Sequence, residues 1–398
     1  MHYIRLLRPP SLDETTRLLK LVLTITTDLG DSFLCPDEPV LIAVYLVTDS
    51  IVITKNISRS VWSAGMRVLK LDLSLPAQAV TNIAEIPFDT TGRILGLSVS
   101  FPSPGAETRY TAVRELAIHT QKNGDCDLKE DEVVLQIAEE IGESIDRHVW
   151  DAGVVTTGLI LDMCGFNATG CDRWCNMPLL RGLLTSAAKR PLNVIELGCG
   201  VGILGIGVAH AGSPASNEVQ NVGRVLLTDL ADAEEMTRIN IGSNTQTRRG
   251  DANASSLELP LLDFEELDWE DGQDGVFGCK ASATNWDLVI ISDCTYNVDM
   301  LSALVKTLSA LRAASEPELK VMLATKPRHS SEGALFDLMA AEGWSILENG
   351  SQPLPLLGME EERVEIYLFG NSDASPGSVS AEVGDGVKHG STKKRKLG

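Results

Sequence analysis

A glycine-dense turn between Asn193 and Gly205, NVIELGCGVGILG, is the clearest chemical signal in the sequence. Glycines at 198, 200, 202 and 205 let the backbone turn sharply and approach a ligand closely, in front of a helix N-terminus. A turn that binds nothing is the alternative, but four glycines in eight residues would then cost conformational entropy without benefit. The stretch therefore predicts a small-molecule site between a strand and a helix.

The carboxylate of Glu196 indicates which class of small molecule this turn binds. Gly200, Gly202 and Gly205 fit the G-x-G-x-x-G dinucleotide pattern, which is weak evidence on its own. A carboxylate two residues before the first glycine would repel a pyrophosphate, whereas the ammonium and sulfonium of S-adenosylmethionine favour a negative neighbour. We therefore expect S-adenosylmethionine rather than NAD as the cofactor, with Glu196 in the wall of its site.

Other polar or aromatic residues stand where predicted strands end, namely Asp229, Trp269, Ser292 and Asp293. Ligands of an open α/β sheet bind beyond the carboxyl ends of its strands, so these side chains are expected around one cleft. Asp229 is placed to accept hydrogen bonds from two ribose hydroxyls, or alternatively to cap the helix that follows. Trp269 offers an aromatic plane for adenine, or is a core or rim residue.

Alternating strands and helices from residue 192 onward predict a Rossmann-like α/β fold with a seven-stranded, largely parallel sheet. The predicted strands are NVIEL, RVLLTD, a weaker strand between Leu257 and Trp269, TNWDLVIISD, KVMLAT, WSILE and RVEIYLF. No clear helix separates the last two. We therefore expect the final strand to be antiparallel and to form the edge of the sheet.

Four regions are expected along the chain: a β-rich N-terminal extension (1–105), a helical linker (106–146), the α/β domain (147–370) and a disordered tail (371–398). Runs of β-branched residues and leucine, separated by proline or glycine, predict the strands of the extension. No catalytic pattern occurs in the extension, so its function is open.

Two helices are predicted before the glycine turn. Apolar residues at helical spacing predict the first from Leu128 to Ser144, within the linker. The second runs from Asp151 to Met163 and is led by Trp150. In the tail, Lys393-Lys394-Arg395-Lys396 reads either as a nuclear-import patch or as a solubilising basic end.

Composition restricts the class of partner. The net charge of −21 disfavours nonspecific nucleic-acid binding and fits a basic partner such as a lysine-rich protein segment. The longest apolar run, ten residues from Pro39, is too short for a membrane helix. Cys164, Cys171 and Cys175 form a loose cluster without a C-x-x-C pair, which favours free thiols in a reducing compartment over a zinc site.

Five short segments together resemble the seven-strand protein lysine methyltransferases, a methyltransferase-like family whose members act on chaperones, translation factors and calmodulin. The segments are VWDAG at 149–153, ELGCGVGILG at 196–205, LTD at 227–229, LDW at 267–269 and SDCTY at 292–296. The D-x-x-Y motif formed by Asp293 and Tyr296 is the most specific of these features. The resemblance covers about residues 147–370, and the first hundred residues show no match to it.

The resemblance implies roles for particular residues. Cofactor contacts are implied for Trp150, Gly198, Cys199, Gly200, Asp229, Trp269 and Ser292, and Asp293 and Tyr296 are implied to line the acceptor channel. Methyl transfer from a sulfonium is an in-line displacement in which the protein contributes alignment and electrostatics. A lysine acceptor must lose its proton, and Asp293 is expected to hold the ammonium while Tyr296 shapes the passage. The alternative for Asp293 is a helix cap.

The resulting expectation is a monomeric, S-adenosylmethionine-dependent protein-lysine methyltransferase of the cytoplasm, the nucleus or both. Two other functions stay open, since a fold does not fix the acceptor. The first is a methyltransferase acting on a small molecule or on another protein residue. The second is an adaptor that keeps the cofactor fold and works through its first hundred residues, although the intact D-x-x-Y pair argues against it.

Overall fold

A computed structural model describes residues 1–13, 15–45, 47–48, 58–75, 83–90, 94–95, 97–100, 111–120, 132–140, 147–167, 176–185, 190–212, 221–246, 260–315, 318–354 and 362–371. The predicted basic tail lies outside these residues, as do Cys171 and Cys175. Within the described ranges, no helix is long and apolar enough to cross a membrane. The same residues contain no group of three or more His, Cys, Asp and Glu side chains suited to a metal ion.

The N-terminal part of the chain forms two β-sheets, as its β-rich sequence predicts. The first sheet contains β1 (His2–Leu6), β2 (Ser11–Asp13), β3 (Leu18–Thr26), β7 (Leu69–Ser74) and β9 (Ile94–Leu95). The second contains β4 (Val40–Val44), β5 (Val47–Thr48), β6 (Ser58–Trp62), β8 (Ile83–Thr90), β10 (Leu97–Ser100), β11 (Thr111–Thr120), β12 (Glu132–Glu140) and β13 (Phe166–Asn167). We call residues 1–140 the N-terminal β region.

The third sheet has seven strands and confirms the predicted α/β fold. Its strands are β14 (Leu192–Leu197), β15 (Val222–Asp229), β16 (Leu261–Glu266), β17 (Leu288–Ser292), β18 (Lys320–Thr325), β19 (Trp344–Pro353) and β20 (Arg363–Asn371). Their order in the sheet is β16-β15-β14-β17-β18-β20-β19. The first strand, β14, therefore lies in the middle of the sheet. The next two strands are added on one side of it and β17 on the other, and ligands of such sheets bind at this switch point between β14 and β17.

Eight α-helices accompany these strands in the described residues. They are α1 (Asp151–Met163), α2 (Pro178–Thr185), α3 (Ile203–Ala211), α4 (Ala231–Gln246), α5 (Trp269–Gly272), α6 (Cys279–Ser282), α7 (Leu301–Ala314) and α8 (Ala334–Ala341). The predicted helix from Asp151 to Met163 is thus confirmed as α1, with Trp150 at its N-cap. Buried side chains of β14 and α3 belong to one apolar core with those of α1, including Val194, Leu204 and Leu159.

The predicted helix from Leu128 to Ser144 is wrong, and with it the helical linker at 106–146. Residues 132–140 form β12, which pairs antiparallel with β11 from one end to the other. Apolar residues there fit both a helical and an alternating period. Pairing with β11 selects the strand over the helix. In the strand, Leu135, Ile137 and Glu139 share one buried face.

β12 is an edge strand whose backbone is covered by α4. Asn240 accepts from the N–H of Ala138 and donates to its carbonyl, at 2.7 and 2.9 Å. Asn244 makes the same pair of bonds to Gln136, at 3.1 and 2.8 Å. These side-chain amides satisfy the exposed edge of the second sheet and attach the N-terminal β region to the α/β domain.

The last strand in sequence is antiparallel, as predicted, but it does not lie at the edge. β20 pairs antiparallel with β18 on one side and with β19 on the other. Among the described strands β19 pairs with β20 alone, so β19 forms the edge of the sheet.

Candidate active site

A cavity of about 550 Å³ lies at the carboxyl ends of β14, β15 and β17. Small-molecule sites typically have volumes of roughly 300–1,000 Å³. Its lining includes Trp150, Gly198, Cys199, Gly200, Asp229, Trp269, Ser292, Asp293 and Tyr296. The structure therefore brings together nine of the ten residues that the sequence singled out. Their approach follows from the fold, because the ends of neighbouring parallel strands meet at one edge.

The glycine turn follows β14 and has the left-handed backbone that its sequence predicts. The φ angles of Gly198, Gly200 and Gly202 are 66°, 52° and 81°. A Cβ atom on Gly198 would lie 2.4 Å from the sulfur of Cys294 and 3.2 Å from the ring of Trp269. Only glycine fits at position 198, so the backbone itself forms the floor of the cavity.

Asp229 ends β15 and reaches back to the glycine turn. Its Oδ2 accepts a hydrogen bond from the N–H of Gly200 at 2.8 Å, and its Oδ1 accepts one from Leu230 at 2.7 Å. The carboxylate thus bonds the N–H of the next residue, and the side chain also lines the cavity. The sequence left a helix cap and a cavity carboxylate open for Asp229, and the structure places it in the cavity lining; its bond to Leu230 precedes α4, which begins at Ala231.

Trp269 begins α5 on another wall of the cavity. The side chain is half-buried, and the preceding Asp268 accepts a hydrogen bond from the N–H of Glu270 at 2.9 Å. The carbonyl of Trp269 also accepts from the hydroxyl of Thr307 in α7, at 3.1 Å. These contacts fix the start of the short helix and hold the indole beside Gly198.

Glu196 does not line the cavity, which corrects its predicted place in the cofactor wall. The side chain is fully buried below the turn, where Oε2 accepts from the N–H of Gly205 in α3 at 2.9 Å. Burial raises the pKa of Glu196 well above its usual range, despite the hydrogen bond from Gly205. The carboxyl group therefore supports the first turn of α3 from inside the protein.

Asp293 lines the cavity, but its carboxylate is directed into the protein. Oδ1 accepts from the N–H of Lys326 at 3.1 Å and from Nη1 of Arg328 at 2.9 Å. Oδ2 accepts from the N–H of Ala152 at 2.9 Å, and Nη2 of Arg328 lies 3.4 Å from it. Protein donors thus surround both oxygens, which corrects the expectation that the carboxylate faces an incoming ammonium.

Two effects on the pKa of Asp293 oppose each other. Burial raises the pKa of Asp293 above its usual value, whereas the guanidinium of Arg328 lowers it. Tyr296, the other member of the D-x-x-Y motif, is 57% exposed at the opening of the cavity. Asp293 is therefore the inner residue of the motif and Tyr296 the outer one.

Two thiols pack beneath the glycine turn. Cys199 and Cys294 are both buried, and burial raises the pKa of each well above its usual range. The sulfur of Cys294 donates to the carbonyl of Gly198 at 3.4 Å. These cysteines remain thiols and serve as close-packed walls of the cavity.

Sequence reasoning missed several residues of this site, among them His148 and Arg328. His148 lines the cavity and lies with Nδ1 3.6 Å from Oε2 of Glu139, a buried residue of β12. Arg328 bonds to Asp293 and lies with its Cζ 5.6 Å from the centre of the Trp150 ring. The position of Arg328 just after β18 is a usable signal, because the ends of neighbouring strands converge. His148 has no comparable signal.

A protein-family model matches the part of the chain that contains this cavity. The model of the lysine methyltransferase family matches residues 129–342, which is more than half of the chain. This chain belongs to the lysine methyltransferase family. The match spans β12, the glycine turn, the D-x-x-Y motif and α8, so the whole cavity lies within it. The predicted family, methyltransferase fold and cofactor S-adenosylmethionine are thereby confirmed.

The individual relatives are more distant. A UPF0665 family protein of Schizosaccharomyces pombe is 27% identical over 235 residues, which are 59% of this chain and 55% of that protein. The chain thus spans about half the length of this curated relative. Among solved structures, a ribosomal protein L11 methylase from Lactobacillus delbrueckii subsp. bulgaricus has 15% identity and a TM-score of 0.30. The match covers 50% of this chain and 80% of the methylase chain.

A second solved structure gives the same level of similarity. The TehB-like SAM-dependent methyltransferase from Corynebacterium glutamicum has 13% identity and a TM-score of 0.28, covering 48% of this chain and 85% of its own. At such scores the family model, rather than the structural overlay, identifies the family of this chain.

The cavity fits S-adenosylmethionine. Five carboxylates line the cavity, from Asp229, Asp232, Asp268, Glu270 and Asp293, the last of which is paired with Arg328. Among the described lining residues, none is Lys or Arg. A cavity of this charge favours a ligand that carries a sulfonium and an ammonium over one with a pyrophosphate.

Proposed function

We propose that this methyltransferase transfers the methyl group to the side-chain nitrogen of a lysine in a protein. The observation that carries the proposal is the acidic lining of the cavity, with Tyr296 exposed at its opening. A lysine ammonium approaching this opening meets negative charge along its path. The low dielectric constant of the surrounding protein strengthens that attraction relative to bulk solvent.

We assign the cofactor side of the cavity to seven residues. They are Trp150, Gly198, Cys199, Gly200, Asp229, Trp269 and Ser292. The cofactor supplies an electrophilic methyl group, and the protein supplies its orientation. Asp229 is proposed to accept hydrogen bonds from the ribose hydroxyls, since its carboxylate stands at the end of β15 beside Gly200. Trp269 is proposed to cover the adenine with its ring.

The acceptor side belongs to the D-x-x-Y motif, with roles that differ from those expected from the sequence. Asp293 fixes the inner wall, while its oxygens stay bonded to Arg328 and to backbone N–H groups. Tyr296 forms the outer wall and guides the amine towards the methyl group. Since the reaction is a displacement, alignment of the lysine nitrogen is the main contribution of these residues.

The proposed partner is a protein segment that carries a lysine among other basic residues. The net charge of −21 supports attraction to such a segment and disfavours nucleic acid. We propose that the protein acts as a monomer. We further propose that it works in the cytoplasm and the nucleus, a proposal supported by the basic sequence Lys393–Lys396.

Incubation of the purified protein with methyl-labelled S-adenosylmethionine and cell extract tests this function. A labelled protein band supports a protein acceptor, a labelled metabolite selects the small-molecule alternative, and no label selects an adaptor. Gly200→Arg is the control, because a bulky cation at the left-handed turn blocks the cofactor. Label that persists with a folded Gly200→Arg protein would show that the activity comes from elsewhere.

A further inference from the structure

A single guanidinium bridges the N-terminal β region and the acceptor side of the cavity. Arg328 donates from Nη2 to Oδ2 of Asp28 at 2.7 Å and from Nη1 to Oδ1 of Asp293 at 2.9 Å. Asp28 lies in the turn that follows β3, whereas Asp293 follows β17. The exposed fractions of the side chains are 14% for Arg328, 0% for Asp28 and 3% for Asp293. The bridge is thus almost completely removed from solvent.

Lys326 makes a second link of the same kind. Its Nζ donates to Oδ1 of Asp28 at 3.1 Å and to Oδ2 of Asp151 at 3.0 Å, and it lies 2.8 Å from Oε2 of Glu362. Asp151 also accepts from the hydroxyl of Tyr3 in β1 and from the amino group of Met1, both at 2.6 Å. Asp28 therefore contacts both cations that follow β18.

These contacts determine the charge state of Asp28. Burial raises the pKa of Asp28, but Arg328 and Lys326 outweigh this effect and hold the pKa below its usual value. A buried carboxylate that is paired in this way is costly to leave without its partner, and so is the guanidinium. Asp28 and Arg328 consequently depend on each other for their positions.

Asp293 needs such support because its backbone is strained. Its φ of 53° lies in the left-handed region that non-glycine residues rarely adopt. Arg328, Ala152 and Lys326 hold the carboxylate of Asp293 in this conformation through hydrogen bonds. Cys294 and Tyr296, which line the cavity, continue the chain from this strained point. The course of the acceptor wall thus depends on where Arg328 is held.

We propose that Arg328 is a positioning residue for methyl transfer and that Asp28 holds it in place, so that the N-terminal β region completes the acceptor side of the active site. The proposal rests on methyl transfer at this cavity, but not on lysine as the acceptor. Neither residue is among the described lining of the cavity, so both act through Asp293. The N-terminal β region is then part of the catalytic unit rather than an attached adaptor.

The test compares Asp28→Asn, Arg328→Lys and the double variant. Three quantities are measured: cofactor affinity by calorimetry, the rate of label transfer to any acceptor in cell extract at saturating cofactor, and hydrogen exchange of residues 293–300. Each single variant should lower the transfer rate by about a hundredfold, the loss associated with misplacing reacting groups by an ångström. Cofactor affinity should stay within a few-fold, and exchange should rise in residues 293–300.

The double variant separates positioning from independent destabilisation. If Asp28 acts through Arg328, the double variant should transfer label no more slowly than the slower single variant. The control is Asp287→Asn, whose carboxylate is bonded by Arg190 at 2.7 and 2.8 Å beyond the amino ends of β14 and β17. This control should leave both the transfer rate and the exchange of residues 293–300 unchanged.

Two results would overturn the proposal. One is a folded Asp28→Asn protein with the wild-type transfer rate and wild-type exchange, and the other is single effects that multiply in the double variant. If Asp28→Asn does not fold, Arg328→Lys decides, since it keeps the cation: full transfer by that variant overturns the proposal. A wild-type protein that binds cofactor but transfers no label refutes the proposed function instead, and hydrogen exchange still tests the link between Asp28 and residues 293–300.

Discussion

The carboxylate of Asp229 accepts a hydrogen bond from the N–H of Gly200, with 2.8 Å between the oxygen and the nitrogen. This bond joins the turn after β14 to the end of β15 at the carboxyl edge of the sheet. Because Gly200 has a left-handed backbone, its N–H can turn towards the neighbouring strand. The glycine turn and the acidic residue predicted from separate motifs thus form one unit of the cavity.

The first prediction concerns the floor of the cavity. In Gly198→Ala, the new Cβ atom would lie 2.4 Å from the sulfur of Cys294 and would occupy a left-handed backbone position. Cofactor affinity measured by calorimetry should fall by about tenfold or more, equivalent to about 1.4 kcal/mol. The matched control is Gly182→Ala in α2, where the added Cβ meets no atom within 4 Å beyond its chain neighbours and the backbone of its own helix. Equal affinities of the two variants would exclude Gly198 from the cofactor site.

The second prediction concerns Trp269. If its ring stacks on adenine, Trp269→Ala should weaken cofactor binding by about 1–3 kcal/mol, the range for base–aromatic stacking. Trp286→Ala is the comparison, because Trp286 is a core residue that is 1% exposed and lies outside the cavity lining. That variant should lower the melting temperature instead. A Trp269→Ala protein that loses stability but keeps its affinity would identify Trp269 as a core residue.

The third prediction separates two roles for Glu196. A buried carboxyl with a raised pKa is well replaced by a neutral amide, so Glu196→Gln should keep cofactor affinity within a few-fold. Glu196→Ala should reduce stability by about 1–3 kcal/mol, because the N–H of Gly205 loses its acceptor. A large loss of affinity in a stable Glu196→Gln protein would restore Glu196 to the cofactor wall.

The fourth prediction concerns pH and stability. His2 is fully buried, and burial is the largest cause that lowers its pKa to about 4. In the unfolded chain a histidine has a pKa of about 6.5. The stabilising contribution of neutral His2 is therefore complete above that pH and is lost as the pH falls towards 4. Each unit of the difference is worth about 1.4 kcal/mol.

Thermal unfolding between neutral pH and pH 4 measures this effect. His2→Gln should make the decline of the melting temperature shallower than in the wild type. His329→Gln, at an exposed position, controls for the loss of an imidazole. Parallel declines in the wild type and in His2→Gln would refute the contribution of His2.

Much of this site follows from local sequence rules. Gly198, Gly200 and Asp229 were predictable because glycine-dense turns and strand-end carboxylates have a fixed place in open α/β sheets. The class of fold follows from the same alternation of strands and helices. Trp269 follows by the same argument, since it comes directly after a predicted strand.

Other features depend on tertiary contacts that a local pattern does not contain. β12 was predicted as a helix because its apolar spacing fits both periods, and pairing with β11 decides the outcome. The sequence shows that Glu196 lies near the end of β14, but it does not show on which side of the strand the carboxyl group lies. The bridge from Asp28 through Arg328 joins residues far apart in the chain, and no spacing rule connects them.

The proposed methyl acceptor is a lysine of a protein. The most direct measurement incubates the wild-type protein and cell extract with cofactor that carries a deuterated methyl group, and maps the label by mass spectrometry. We expect deuterated methyl groups on lysine side chains, and their absence when Gly200→Arg replaces the wild type. Label on a different residue type, or on metabolites alone, would contradict it.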